Sequence, residues 1–334
     1  MKNIDIYGTI GPACAKPERL AEMFRLGMTG IRLNLSHTEL ADCREWTDMI
    51  RDAGRKAGMQ PQLLVDLKGP ELRVGAMDRP LNLTHKRIIN LGTQPGDIPV
   101  PEEIFPYLKS GQEILLDDGK IQLEVADAAE ACARCFVVRS GVLQSRKSIA
   151  LPGISIHLPT LTESDKENIR AARAHGVTGV MLPFVRDAED LKNLKQELLK
   201  ADAAEIKIFA KIENMDGVRN LEQLLPYADH MVIARGDLGN SMPLWEMPAV
   251  QAEIAEKCRK AGKPFMVVTQ MLASMETREV PTRAEVSDIF RAVIEGAASV
   301  MVTGETAVGR YPVEVIRYLA NTVKSAVEYM NASC

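Results

Sequence analysis

The sequence is poor in aromatic side chains, which make up 4% of its 334 residues, and it carries no excess of positive charge. Its 41 Lys and Arg stand against 45 Asp and Glu, a formal net charge of −4. A chain without a basic field or base-stacking surfaces is not expected to bind nucleic acid, so any anion must be held by a few local cations. Cysteine is scarce too: the six, at positions 14, 43, 132, 135, 258 and 334, are scattered, unlike a disulfide framework. The lone pair Cys132 and Cys135 has no second pair or histidine cluster at ligand spacing and reads as packing, and the terminal Cys334 as an exposed thiol. No run approaches the ~18 apolar residues of a membrane span, and MKNIDIYGTIGP lacks the layout of a signal peptide. The expectation is a cytoplasmic protein with reduced thiols and no membrane contact, in which the glycosylation triplets at Asn34, Asn82 and Asn331 are chance matches.

With 46% hydrophobic and 26% charged residues there is ample material for a large core. Eight short, nearly continuous apolar runs are visible: IDIYGT (4–9), GIRLN (30–34), QLLVDL (62–67), VTGVML (177–182), IKIFAK (206–211), HMVIA (230–234), PFMVVT (264–269) and SVMVT (299–303). Helix-length apolar spacing separates them, as in Glu18 to Leu26, Ala41 to Ala57, Asp165 to Ala174, Ala188 to Leu199, Ala249 to Ala261 and Arg283 to Glu295. Strands of this kind alternating with helices make a parallel sheet covered on its outer side, and eight units predict a (β/α)8 TIM barrel. More than a hundred residues separate the third run from the fourth, and much of that gap is turn-rich and alternating, as in QEILLDDGKIQLEV. The prediction is a barrel of residues 1–72 and 151–334 with a small β-rich lid, 73–150, inserted after strand 3. Removing the insertion leaves a length close to the ~250 residues typical of the fold.

In such a barrel, function sits where strands end at the C-terminal face. The second run ends in Arg32, Asn34, Ser36 and His37, the third in Asp66, Lys68 and Glu71, the fifth in Lys211, Glu213 and Asn214. The sixth leads into Arg235, Gly236, Asp237 and Gly239, the seventh ends in Thr269 and Gln270, and the eighth in Thr303, Glu305 and Thr306. Glu213 and Asp237 are hard oxygen donors suited to Mg²⁺ or Mn²⁺. Lys211 and Arg32 add the cations needed where a phosphoryl group or an enolate is held while charge shifts. The backbone from Gly236 to Gly239 offers an anion cradle. Asn34, Ser36 and Asp66 offer oxygens to a second, monovalent cation. Elsewhere the reading is plain: sixteen methionines, Met266 and Met301 among them, are core filler, and His85, His157, His175 and His230 are surface or satisfied core. Asp117 and Asp118 before Gly119 form a turn.

The runs GTIGPA, GIRLNLSH, VDLKGPELRVG, LLDDGKIQLEV, KIEN, IARGDLG, VTQML, PTRAEVSD and TGETAVGRYPVE, in this order, resemble pyruvate kinase over nearly the whole chain. The resemblance implies a barrel A domain, a B domain inserted after strand 3, and phosphoryl transfer from phosphoenolpyruvate to ADP, giving pyruvate and ATP in glycolysis. It further implies that Arg32 binds the substrate phosphate, that Lys211 stabilises the transferring phosphoryl group and the enolate, and that Glu213 and Asp237 hold Mg²⁺. Gly236, Asp237 and Thr269 would hold the substrate carboxylate, with Thr269 near the carbon that is protonated. Asn34, Ser36, Asp66 and the carbonyl of Leu67 match the potassium site. Asn34, Leu35, Ser36, His37, Arg73 and Lys147 match the nucleotide side, where closure of the lid would bring Lys147 over the phosphates.

The sequence also departs from the family. It ends after the last barrel helix, so no sugar-phosphate effector site is expected, and any homodimer would form through barrel helices. Pro183 stands for a serine, Arg291 for an asparagine and Thr38 for a glycine. Glu71 resembles potassium-requiring members, whereas Leu67 and Val74 resemble potassium-independent ones, and both behaviours stay open. Two alternatives accompany the kinase reading: a Mg²⁺-dependent lyase or decarboxylase acting through pyruvate enolate, and a non-catalytic phosphoenolpyruvate-binding regulatory homologue.

Overall fold

A computed structural model of the chain describes residues 4–36, 38–70, 72–93, 97–117, 119–154, 156 and 158–332. His37, Glu71, Asp118, His157 and Cys334, named above, lie outside the described residues. The chain forms two compact units. One comprises the residues up to Gly69, Thr160–Arg235 and those from Pro248 onward; the other comprises Pro70–Pro159 and Gly236–Met247.

In the first unit eight strands form a closed barrel: β1 (Asp5–Thr9), β2 (Gly30–Asn34), β3 (Gln62–Asp66), β4 (Gly179–Leu182), β5 (Lys207–Ile212), β6 (His230–Ala234), β7 (Phe265–Val268) and β8 (Ser299–Met301). All neighbours are parallel, and each strand pairs with the next in sequence until β8 returns to β1. Burial on both faces explains why the sequence shows continuous apolar runs rather than alternation: all of β4 and β7 is buried. Inside the barrel Tyr7, Leu64, Met181, Phe209, Val232, Met266 and Met301 pack together, so the interior is filled and the two strand methionines are core. Gly30 leaves room for this packing, since a Cβ there would lie 2.4 Å from the Tyr7 ring.

The outer layer includes α1 (Pro17–Arg25), α2 (Arg44–Lys56), α3 (Glu163–Ala172), α4 (Ala188–Lys200), α5 (Met247–Lys260), α6 (Arg283–Ile294) and α7 (Pro312–Ala332). Local chemistry sets their starts. Pro17 occupies the first turn of α1, Asp187 caps α4 through the Glu189 and Asp190 amides, and reciprocal capping boxes open α3 (Thr162 with Asp165) and α6 (Thr282 with Glu285). Among the described residues no helix is long and apolar enough to cross a membrane.

The second unit contains a six-stranded sheet, ordered Ile149–Ala150, Glu113–Leu116, Ile121–Ala129, Cys132–Arg139, Ile88–Gly92 and Ile98–Pro99, and a two-stranded pair of Gly141–Leu143 with Leu81–Leu83. Alternate residues such as Ile114, Leu123, Val125 and Val137 build its core. Leu151 joins that core, with Ile154 and Ile156 packed against it, which carries the unit beyond the expected limit at 150. Cys132 and Cys135 are three apart on one strand and point to opposite faces, Cys135 buried and Cys132 partly exposed, a geometry that cannot chelate.

The described histidines hold structural contacts. His175 is buried with Nδ1 3.3 Å from Thr47 Oγ1, and His85 Nδ1 lies 2.9 Å from the Val138 carbonyl. His230, at the start of β6, stacks on Phe209 at 4.8 Å, and its Nε2 lies 3.0 Å from Ser299 Oγ. Burial pushes its pKa down from 6.5 to about 4. The unfolded chain therefore takes up this proton near pH 6.5 and the folded chain only near pH 4, so the stabilisation is complete above 6.5 and is lost as pH falls through that window. The expected loss is up to about 3 kcal/mol. Urea unfolding at pH 7.5 and 4.5 should show it, and His230→Gln should remove that share of the pH dependence.

Candidate active site at the C-terminal ends of the barrel strands

Strand register determines which side chains meet. Asn34 and Asp66 are the terminal residues of β2 and β3 and are direct partners, while Arg32 and Lys211 face inward from β2 and β5. Asp66, 2% exposed, is where they converge. Arg32 donates to its Oδ2 from Nε at 2.9 Å and Nη2 at 2.6 Å, and Lys211 Nζ lies 3.3 Å from the same oxygen. Lys211 Nζ is also 2.8 Å from Glu213 Oε1. Burial alone would raise the pKa of Asp66, but the Lys211 and Arg32 charges outweigh it and hold the carboxyl below its usual range. Burial would likewise discharge Lys211, yet Asp66 and Glu213 more than compensate, and its ammonium group holds its proton more firmly than a free lysine.

The oxygens beside this ion cluster are incompletely used. The buried Asp66 Oδ1 has no hydrogen-bond partner among the described residues. Asn34 Oδ1 accepts from the Ser36 amide at 3.1 Å and hydroxyl at 2.9 Å, which folds the segment after β2 back towards the strand end. The Leu35 side chain is buried and its amide donates to the Asp66 carbonyl at 3.0 Å. Leu67 is also buried, with its amide bound to the Met181 carbonyl.

Backbone strain collects on the same face. Phe184, Thr269 and Gln270 adopt left-handed φ values of +53°, +81° and +56°, each costing on the order of 1–3 kcal/mol unless neighbours enforce it. The Phe184 amide is tied to Glu213 Oε2 at 2.9 Å. Thr269 is tied through its carbonyl, which accepts from Arg235 Nε and Nη2 at 3.2 and 2.7 Å. Pro183, where the family has serine, is buried against Gly69, whose φ of +61° and missing Cβ admit the ring. Arg291 lies apart from this cluster on α6, paired with Glu295.

Several supporting residues were not singled out from the sequence. Asp165 is fully buried and accepts from the Lys68 amide (2.9 Å), the Gly69 amide (3.1 Å) and Thr162 (2.9 Å from N), so it fixes the turn after β3 as well as opening α3. Its only signal is the Thr162-x-x-Asp165 capping box. Glu305, read from the sequence only as a strand-end acid, is buried and accepts from the Leu272 and Thr303 amides.

Gly236 and Asp237 belong to a short helix, Arg235–Asn240, that follows β6 directly. In the second unit Arg73 faces Ser148 across an antiparallel bridge and donates to the Arg146 carbonyl at 2.6 Å, and the Val74 amide donates to the Lys147 carbonyl, so Arg73 and Lys147 share one pair of segments. Lys147 Nζ lies 2.8 Å from Asp117 Oδ1, and Lys120 3.3 Å from Oδ2. Partial burial opposes ionisation of Asp117, but these lysines keep it below the usual carboxylate range. Among the described residues no group of three or more His, Cys, Asp or Glu is arranged to hold a metal.

Removing the Asp66 charge leaves Arg32 without its carboxylate and Lys211 with Glu213 alone, both cations being largely shielded from water. Asp66→Asn should cost about 3 kcal/mol, the range for breaking a buried ion pair from one side. Since the folded carboxyl titrates below its unfolded value of 3.8, its contribution is complete above that pH and is lost as pH falls through the folded value. Denaturant unfolding should accordingly separate wild type from Asp66→Asn at pH 7 and bring them together in strong acid.

The family description "Pyruvate kinase, barrel domain" matches residues 1–316. The pyruvate kinase of Sporosarcina psychrophila is 38% identical over 98% of this chain and 58% of its own length, and that of Bacillus licheniformis 37% over 99% and 58%. The pyruvate kinase of Thermococcus litoralis is 37% identical over 97% of this chain and 70% of its own length. The chain thus spans about three fifths of the first two relatives. With a filled eight-stranded barrel, an ion cluster at its strand ends and this match over most of its residues, the chain belongs to the pyruvate kinase family.

Proposed function

We propose that this chain carries out phosphoryl transfer from phosphoenolpyruvate to ADP, giving pyruvate and ATP. The observation that carries this reading is Lys211, a buried ammonium held charged between Asp66 and Glu213 with the Arg32 guanidinium on the same carboxylate. Two fixed cations in a largely dry site suit a phosphoryl group whose oxygens carry charge throughout transfer. Arg32 takes the substrate phosphate, and Lys211 lies where charge moves from that phosphate to the enolate oxygen. Because Lys211 is held in its charged form, its task is electrostatic. Thr269, with Gly236 and Asp237, holds the substrate carboxylate and places that carbon.

Glu213 and Asp237, from the ends of strands adjacent in the barrel, are the donors for Mg²⁺ or Mn²⁺, and hard carboxylate oxygens fit such an ion. When bound, the divalent cation neutralises phosphate charge. The unspent Asp66 Oδ1, with Asn34, Ser36 and the Leu67 carbonyl, fits a potassium ion. Arg73 and Lys147, with Asn34 to His37, are assigned to the nucleotide. Nothing specific favours a lyase or a regulatory protein: Pro183, one of the departures from the family pattern, has a packing role against Gly69.

A coupled assay for pyruvate formation from phosphoenolpyruvate, ADP and Mg²⁺, with and without K⁺, tests the proposal. Wild type should turn over, and Lys211→Met should lose at least about a hundredfold in kcat. Turnover no higher than that of Lys211→Met would overturn the reading.

A further inference from the structure

Thr269 and Gln270 are successive residues with side chains in left-handed backbone, and the first is β-branched, the type least suited to it. Such a conformation persists only where the surroundings enforce it. The grip on Thr269 comes from Arg235, whose side chain is 13% exposed and which directs Nε and Nη2 at the Thr269 carbonyl. Its remaining nitrogen, Nη1, lies 2.8 and 2.7 Å from the two carboxylate oxygens of Asp288 on α6. A guanidinium is planar and rigid, so fixing Nη1 on Asp288 fixes the directions of Nε and Nη2. Two further anchors hold the segment downstream: Glu305 accepts from the Leu272 amide at 3.2 Å, and Glu285, also on α6, from the Ser274 amide at 2.7 Å.

We infer that Asp288 and Arg235 are positioning residues that hold Thr269 in its strained, reaction-competent place. The inference rests on the proposed kinase reading, in which Thr269 lies beside the substrate carboxylate and the carbon that is protonated. Asp288 acts through Arg235, and Arg235 through the Thr269 carbonyl. Arg235 also immediately precedes Gly236 and Asp237, so the same side chain links the strand end that carries those residues to the one that carries Thr269.

The test compares wild type, Asp288→Asn, Asp288→Glu and Arg235→Lys by steady-state kinetics and by hydrogen exchange of the Leu272 and Ser274 amides. In Asp288→Asn, kcat should fall at least about tenfold while KM for phosphoenolpyruvate moves less than about threefold, the pattern of a displaced reacting group. Exchange at both amides should quicken, and Asp288→Glu should recover part of both effects. A merely structural ion pair would lower the unfolding midpoint and leave kcat and local exchange in place; unchanged exchange, or kcat within about twofold of an active wild type, overturns the inference. If Asp288→Asn fails to fold, Arg235→Lys decides, since a single ammonium cannot span both Asp288 and the Thr269 carbonyl. If wild type itself forms no pyruvate, the kinase reading falls, and amide exchange alone then decides whether the pair holds the segment.

Discussion

A single carboxylate at the end of β3 determines what the mouth of this barrel can be. Arg32 and Lys211 come from β2 and β5, and two cations in a largely dry space would repel one another strongly. Asp66 Oδ2 accepts from both, which lets them lie close together. Glu213 supplies the second negative charge, so the cluster of two cations and two anions is balanced before any substrate enters. That balance keeps the desolvation cost tolerable. It also explains why one oxygen of Asp66 is left unspent, since both cations crowd onto the other.

The two ends of the barrel differ in kind. At the N-terminal end Tyr7 donates to Gln62 at 2.6 Å, His230 stacks on Phe209, and among the described non-glycine residues of the connections there only Asp202 takes left-handed backbone. At the C-terminal end three residues with side chains adopt left-handed backbone, and buried or partly buried charged groups hold it in place. Parallel strands deliver their carbonyl ends there, and the connections that follow are free to take whatever shape function needs. Stability is contributed largely by the filled interior, which can support a strained rim.

The strands were legible because burial on both faces writes itself into sequence as continuous apolar runs, and their ends then pointed to Arg32, Asp66, Lys211 and Glu213. What could not be read was the support. Asp288 and Glu285 lie on a helix whose charges look like an ordinary solvated face, and Asp165 looks like a capping residue until its bonds to Lys68 and Gly69 are seen. Leu35 sits in a motif full of ligand candidates, and only the fold shows its side chain turned into the core. The limit of the smaller unit was missed for a related reason. Residues 151–159 are rich in proline and short of periodicity, yet Leu151 belongs to its core and Ile154 packs against it.

Pro183 illustrates how a change at a strand end is absorbed. A proline there fixes its own φ and donates no hydrogen bond, so it cannot repeat what a serine hydroxyl offers. What it does offer is rigidity. It packs against Gly69 on one side, and the residue it precedes, Phe184, takes the left-handed backbone that aims its amide at Glu213 Oε2. Glu213 is therefore held at both carboxylate oxygens, by an amide whose place depends on a locked ring and by the ammonium of Lys211. The geometry of the ion cluster at Glu213 is thus kept by backbone constraint as well as by charge.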